Sequence, residues 1–504
     1  MIKNCKFVIY CILLIEFVLN TDKICFIFLH DENSSYDKNF IDAANEICEE
    51  LGVEAVLKTN IPESDECYNT AKELAESGCK AIFADSFGHE EYILKAAKEY
   101  PDVEFGHATG TLAHTNKNIT NFHNAFASIY EGRYATGIAA GMKLKEMIDN
   151  GNIKESEAQI GYVGAFPYAE VISGYTSFYL GVKSIVNSVK MKVRYTNSWY
   201  DEALEKEAAE KLIDIDGCKL ISQHADSSGA PSVCEEKGIP NVFYNGENPT
   251  LTKSYLISSR INWRPYFRYF INNTLTGTKM DPDWTGNLKD GSVEVYSASS
   301  LAATGTQDAV DKAITDLKEK NINVFDTSKF TVNGETLTTY KADVDTDENF
   351  EGDTEAISDG YFHESEYRSA PYFNLIIDGI SIVEGNDISN NETEVSDNSI
   401  VFSDTELQKS DTLESDTTQN GTNPISQNSI VTTNNKGLSK GGIIGITIPL
   451  ILVTVVVFIA SIFAGKAGGA AVATGATAVS VGGANAGNAG SIHDASVHKM
   501  NVQF

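Results

Sequence analysis

Apolar residues along this chain alternate between two spacings. Short runs such as "KICFIFL" (Lys23–Leu29), "KAIFAD" (Lys80–Asp85), "AQIGYVG" and "KLISQHA" have the length and β-rich composition of buried strands. Between them lie segments with a helical stripe. One has Phe40, Ala44, Ile47, Cys48 and Leu51 on a single face, and "HEEYILKAAKEY" is another. "EAVLK", "MKVRYT" and "NVFY" continue the alternation. Strands separated by helices of 10 to 15 residues make βαβ units and parallel sheets. At least seven such units run between Asp22 and Glu384, more than one open sheet of ordinary size holds. The pattern therefore predicts an α/β fold of two doubly wound, Rossmann-like lobes around a cleft.

Outside that region the pattern changes. The N-terminus carries Lys3 and Lys6, then an apolar run from Phe7 to Ile15, the layout of a secretory signal spanning residues 1–21. From Glu384 to Lys440 the chain is rich in Ser, Thr, Asn and Asp, with ten acidic and three basic residues and no apolar period. Residues 385–440 thus read as a disordered stalk whose coil would span about 40 Å. Ile443 to Ala464 contains no charge and has the length of a membrane helix, flanked by Lys440 and Lys466. The Gly/Ala-rich tail, residues 465–504, gives no fold. Together these features predict a single-pass type I protein of the plasma membrane, with the folded region 22–384 outside the cell. Sequons at Asn33, Asn118, Asn272, Asn391 and Asn420 all precede the span, as expected of a glycosylated ectodomain.

Charge and composition narrow the function. A net charge of −31 excludes nucleic-acid binding, which needs clustered Lys and Arg. No G-x-S-x-G elbow, Walker-type loop or H-E-x-x-H occurs, and "HDE" at His30–Glu32 lacks a second cluster at metal-ligand spacing. No enzyme, metal or cofactor is indicated. Six cysteines remain after the signal; their irregular spacing gives no framework, and Cys25 and Cys48 on apolar faces read as buried thiols. The small residues Gly132, Ala135 and Gly141 of "EGRYATGIAAG" allow close helix packing, with Glu131 and Arg133 structural.

The stretch "ISQHADSSG" places His224, Asp226, Ser227 and Ser228 close together. Catalysis by these residue types needs spatial convergence rather than adjacency in sequence. The stretch follows a strand and precedes a helix, as do "ADSFGHEE", "GAFPYAE" and "NSWYDEA". Loops at the carboxyl ends of parallel strands line ligand crevices. All four are expected to face one cleft, where "HADSS" grips a ligand.

These segments, with "YEGRYATGIAAG", "NWRPYF" and "WTGNLKDGSVEV", resemble the basic membrane protein family from Lys23 to Val295, and more weakly to Ile380. The resemblance implies a purine-nucleoside-type substrate-binding protein of the periplasmic-binding-protein type I fold, whose ligand base stacks on aromatic rings between the lobes. Carried over by position, the ligand-contacting residues are Tyr36, Phe87, Phe166, Trp199, Asp226, Asn245 and Trp263. Relatives usually have aspartate where this chain has Asn245, which weakens the ribose clamp and favours a bare base. The implied partner is a purine base or nucleoside. Bacterial relatives hand their ligand to a permease; here a stalk and a span take the place of a lipid anchor. The alternative is an adhesion or surface-coat protein that kept the fold without the ligand.

Overall fold

The computed structural model describes residues 21–383, apart from 117, 249 and 345–351. The signal-like run, the stalk, the span at 443–464, the tail and the sequons at Asn391 and Asn420 lie outside the described residues. Among the described residues, no helix is long and apolar enough to cross a membrane.

Two parallel sheets form, each built from βα units. The first has strands β1 (Lys23–Ile27), β2 (Glu54–Lys58), β3 (Cys79–Ala84), β4 (Glu104–Ala108), β5 (Phe122–Ala127) and, later in the chain, Asp283–Gly286. Their order is β2-β1-β3-β4-β5 with Asp283–Gly286 at the edge, all parallel. The second contains β6 (Gln159–Gly164), β7 (Lys190–Tyr195), β8 (Ile221–His224), β9 (Asn241–Tyr244) and β10 (Tyr255–Ile261) in the order β7-β6-β8-β9-β10. Val293–Val295 closes one edge antiparallel, and Ile380–Ile382 closes the other parallel to β7. Helices cover both faces, so the central strands read as nearly continuous apolar runs; β1, β3 and β5 are buried almost throughout.

Local signals set the ends of the helices. Ser34 caps the helix Ser35–Leu51 by accepting a hydrogen bond from the Asp37 N–H, and Gly52 ends it at φ 69°, where a residue without Cβ is least strained. Asp201 caps the helix Glu202–Asp214 in the same way.

The chain crosses between lobes three times. After β5, the helix Ile129–Asp149 packs against the second lobe, on the helix Ala169–Lys183 and on β10. After β10, the helix Arg264–Thr276 returns to pack on Ser35–Leu51 of the first lobe. The third crossing joins Gly286 to Val293. Beyond the helix Thr306–Lys318, an irregular segment with short paired strands surrounds a cluster of Phe325, Phe330, Phe362 and Phe373.

The small-residue face acts as expected. A Cβ on Gly132 would meet Ser259 and Val293, and one on Gly141 would meet Ile185. A closer contact on this helix is one the pattern did not single out: a Cβ on Gly137 would lie 2.3 Å from the Phe178 carbonyl oxygen, and one on Gly181 2.2 Å from that of Tyr134. Arg133 is fully buried without a carboxylate; Tyr162, Ser222 and the Phe243 carbonyl accept from it, and the rings of Phe178, Tyr162 and Tyr244 lie around it. Cys25 corrects the reading of buried free thiols, because it is joined to Cys79 across neighbouring strands, with Cα atoms 6.0 Å apart. Cys48 remains a buried thiol, and burial pushes it up to about 12.

The helix crossing gives a direct test. Gly181→Ala should cost about 1–3 kcal/mol by overpacking against backbone that cannot rotate away, despite the better helix propensity of alanine. A lower urea midpoint with unchanged slope is expected, and a rise would refute the close-contact account.

Candidate ligand-binding site

A cavity lies between the lobes, with about 360 Å³ of atom-free space when the open solvent at its mouth is included. The first lobe contributes Leu29, His30, Tyr36 and Asp37 from beyond β1, Ser86 and Phe87 from beyond β3, and Thr109 from beyond β4. The second contributes Glu170 from beyond β6, Trp199 from beyond β7, His224 and Asp226 around the end of β8, and Tyr244 at the end of β9. Each of these positions is at or just past the carboxyl end of a parallel strand, where ligands of open α/β sheets bind. All four loops singled out in the sequence reach this one cavity.

The lobes meet around it. The Ser35 N–H donates to the Asp226 carbonyl at 3.2 Å, and Phe87 stacks on Tyr168 with ring centroids 4.9 Å apart. Asn39 Nδ2 donates to the carbonyl of Asn245 at 2.6 Å.

The acids in the wall are Asp37, Glu170 and Asp226. Asp37 accepts from the His30 N–H at 2.7 Å and from the Ser34 hydroxyl at 2.6 Å. Burial alone would raise its carboxyl, but these hydrogen bonds outweigh it and hold the group below its ordinary range. Asp85, fully buried behind it, is raised well above that range by burial and by the neighbouring Asp37. Asp226 is 5% exposed, and its carboxyl meets no donor among the described residues. Burial, followed by the charges of Asp37, Glu205 and Glu170, pushes it well above the carboxylate range. His224 is kept neutral chiefly by burial; its Nε2 is 2.8 Å from the Tyr244 hydroxyl and 3.3 Å from Glu170 Oε1. Among the described residues, no Lys or Arg lines the cavity. Such a wall suits a neutral or cationic molecule that donates hydrogen bonds, held between aromatic rings.

Of the residues expected to contact a ligand, Tyr36, Phe87, Trp199 and Asp226 line this cavity. Three others do not. Trp263 is 1% exposed and stacks on Phe40 at 4.2 Å, because the second crossing carries it into the core of the first lobe. Phe166 lies one layer back, against Tyr168 and Trp199. Asn245 is buried at φ 60°, a conformation asparagine tolerates better than most residues. Its Oδ1 accepts from Asn39 and from the Ile261 N–H, so it ties the lobes together.

The "HADSS" stretch does not assemble a nucleophile and base. The Ser227 hydroxyl accepts from the Gly229 N–H, and His224 is engaged by Tyr244 and Glu170. Asp226 does not cap the following helix either. Among the described residues no group of three His, Cys, Asp or Glu is placed to hold a metal. Asp37, Thr109, Glu170 and Tyr244 were not picked from sequence. Their signal was position alone, within a helical turn or two of a predicted strand end.

Known proteins agree with this architecture. A purine-binding protein of Brucella abortus is 34% identical over 263 residues, covering 51% of this chain and 70% of that one. A putative glucose-binding protein of an ABC transporter from Haloferax volcanii is 32% identical over 223 residues, 43% of this chain and 51% of its own length. A nucleoside-binding protein of an ABC transporter from Lactococcus lactis is 26% identical over 217 residues, 42% of this chain and 57% of the relative. The Bmp family, described as ABC transporter substrate-binding protein PnrA-like, matches residues 28–328. With that match over more than half of its length, on a two-lobed fold with an interlobe cavity, the chain belongs to the Bmp family of PnrA-like substrate-binding proteins.

Proposed function

We propose that this protein binds a purine base or nucleoside between its lobes, as a membrane-tethered extracellular binding protein acting in uptake or sensing. The observation that carries this reading is the pairing of aromatic rings with an unpartnered, buried acid. Trp199, Phe87 and Tyr36 offer faces to a flat ring, and Asp226 offers a carboxyl that meets no protein donor among the described residues. A purine edge presents the N–H groups such an acid lacks. The purine-binding and nucleoside-binding relatives support the same ligand class.

Membrane attachment rests on the sequence from Ile443 to Ala464. The described sequons Asn33, Asn118 and Asn272 are all exposed, and the Cys25–Cys79 disulfide suits an oxidising compartment. Protease treatment of intact cells tests this topology, which puts Asp22 to Lys440 outside and Lys466 to Phe504 within the cytoplasm. The folded part should be released while a C-terminal epitope survives, and an epitope lost without permeabilising the cells would refute the orientation.

Ligand binding is tested by calorimetry on detergent-purified full-length protein, unfolded and refolded to strip carried-over ligand. Adenine, guanine, adenosine, guanosine and inosine are the probes. Stacking contributes roughly 1–3 kcal/mol per base, so Trp199→Ala should weaken binding by about one to two orders of magnitude. A buried charge-assisted hydrogen bond contributes about 1.5–3 kcal/mol, and Asp226→Ala should cost about as much, whereas Ser227→Ala should matter little. Absence of binding by all five at millimolar concentration would remove the purine assignment.

The empty cleft also carries a stability signature. Because Asp226 is raised in the folded state, its contribution is present below the unfolded carboxyl value and is lost as pH rises through the folded one. At pH 8, far above the unfolded carboxyl value, that contribution is diminished by burial and like charge. Asp226→Asn removes that cost and should raise the Tm by roughly 2 °C or more, on the order of 1 kcal/mol, with a smaller gain at pH 5. An equal shift at both pH values would show that Asp226 titrates like an exposed carboxyl.

A further inference from the structure

Another cavity opens where the lobes are joined rather than where they face each other. It has about 930 Å³ of atom-free space, the open solvent at its mouth included. Among the described residues it shares no lining side chain with the cavities between the lobes. Ser128 stands at the start of the first crossing, and Thr285 and Asn287 flank Gly286 at the start of the third. Tyr361, Phe362, Ser365 and Glu366 form a wall that lies beyond the family-matched residues. We propose that this chamber is a second ligand site, for a small organic ammonium with an apolar body, held by Glu131 and Glu366. The proposal does not rest on the purine reading.

The walls of the chamber are held in place from outside it. The Ser128 N–H donates to the Gly286 carbonyl at 2.8 Å, which joins two of the crossings. The Ser128 and Ser365 hydroxyls are 3.0 Å apart and tie the wall beyond residue 328 to the first crossing. Phe325 stacks on Phe373 with ring centroids 4.5 Å apart, and Phe362 meets the same ring edge-on at 4.9 Å. The apolar side, which Leu317, Ile322 and Val324 complete, is therefore fixed from behind.

Charge decides what the chamber would hold. Its lining carries the carboxylates of Glu131 and Glu366 and, among the described residues, one cation, Lys320, so it is acidic by one charge. Glu131 Oε2 accepts from the Leu288 N–H at 2.7 Å, whereas its Oε1 meets no donor among the described residues. Burial pushes this carboxyl up to about 7 against that hydrogen bond, with Asp290 adding to the rise and Lys320 and Lys318 opposing it. Glu366 accepts from the Tyr361 hydroxyl at 3.2 Å and meets His363 Nδ1 at 3.1 Å. An ammonium against Glu131 would supply both the donor and the positive charge it lacks, and a carbon body would cover the apolar side. An anion or a zwitterion would bring a further carboxylate into a lining already short of cations.

Calorimetry on the detergent-purified full-length protein tests this with phenethylamine, phenethyl alcohol and phenylalanine. The amine should bind about tenfold tighter than the alcohol or better, because its hydrogen bond to Glu131 is charge-assisted, and tighter than phenylalanine. Glu131→Gln keeps an acceptor for the Leu288 N–H and should bring the amine to within about twofold of the alcohol. Asp226→Asn, in the cleft between the lobes, should leave the affinity for the amine unchanged. Should Glu131→Gln fail to melt cooperatively, Glu366→Lys places a cation on the exposed rim and should weaken the amine by about tenfold or more. An amine that is lost on Asp226→Asn and kept on Glu131→Gln lies between the lobes, which overturns the second site. Phenylalanine binding as tightly as the amine overturns it too, as does no saturable binding of the amine at about 10 mM. The purine reading stands or falls on its own titrations, whichever of these results is found.

Discussion

Asp226 lies at the junction of the lobes with its carboxyl buried, without a donor, and within reach of the charges of Asp37, Glu205 and Glu170. Removing an acid from water without a partner costs several kcal/mol even after the group neutralises. A fold selected for stability alone would place an asparagine or an apolar residue here. The cost is carried by the rest of the molecule, which holds the lobes together through contacts that do not involve the acid. These are the Asn39–Asn245 clasp, the Phe87–Tyr168 stack and the Ser35 hydrogen bond to the Asp226 backbone. The side chain is thereby left available, and a molecule bringing N–H groups would recover what the protein gives up.

Rigidity behind the cleft makes that arrangement possible. Helices Ile129–Asp149 and Ala169–Lys183 approach so closely at Gly137 and Gly181 that backbone meets backbone. The first of these helices leaves β5 of one lobe and packs on the other, so the crossing fixes where the second lobe starts relative to the first. Arg133, on the same helix, sits beneath Tyr244, whose hydroxyl engages His224. A buried cation held by hydroxyls, a carbonyl and three rings places positive charge behind an acidic wall without closing an ion pair in it. The cavity keeps its acidic character while the field behind it is partly offset.

The sequence made the α/β alternation legible because strands buried on both faces must be apolar throughout, whereas the intervening helices show their 3.6-residue stripe. The same logic located the four loops, since strand ends can be read to within a few residues. It failed for individual aromatics. Trp263 stands after a strand just as Trp199 does, and only the direction of the crossing helix sends one into a core and leaves the other in the cleft. Phe166 and Tyr168 are two residues apart on one loop; which ring faces Phe87 depends on how the helix beginning at Ala169 is set. Asn245 was read for the charge it lacks, although its structural use comes from a left-handed backbone and a carbonyl-like Oδ1. Cys25 and Cys79 are 54 residues apart, and strand order alone makes them neighbours.

Residues 329–383 show the limit of reading function from a family pattern. They contribute a strand to one lobe, an anchor on Asp283 to the other, and a wall to the space beside the cleft. A segment tied to both lobes resists their separation, so any opening must either carry it along or break one set of its contacts. The first-lobe anchor depends on the His114–Asp283 pair, in which the carboxylate holds the imidazole above its ordinary range. Its strength falls when that histidine deprotonates, whereas the strand pairing beside β7 does not titrate. Of the two attachments, only the one to the first lobe therefore includes a contact that weakens at alkaline pH.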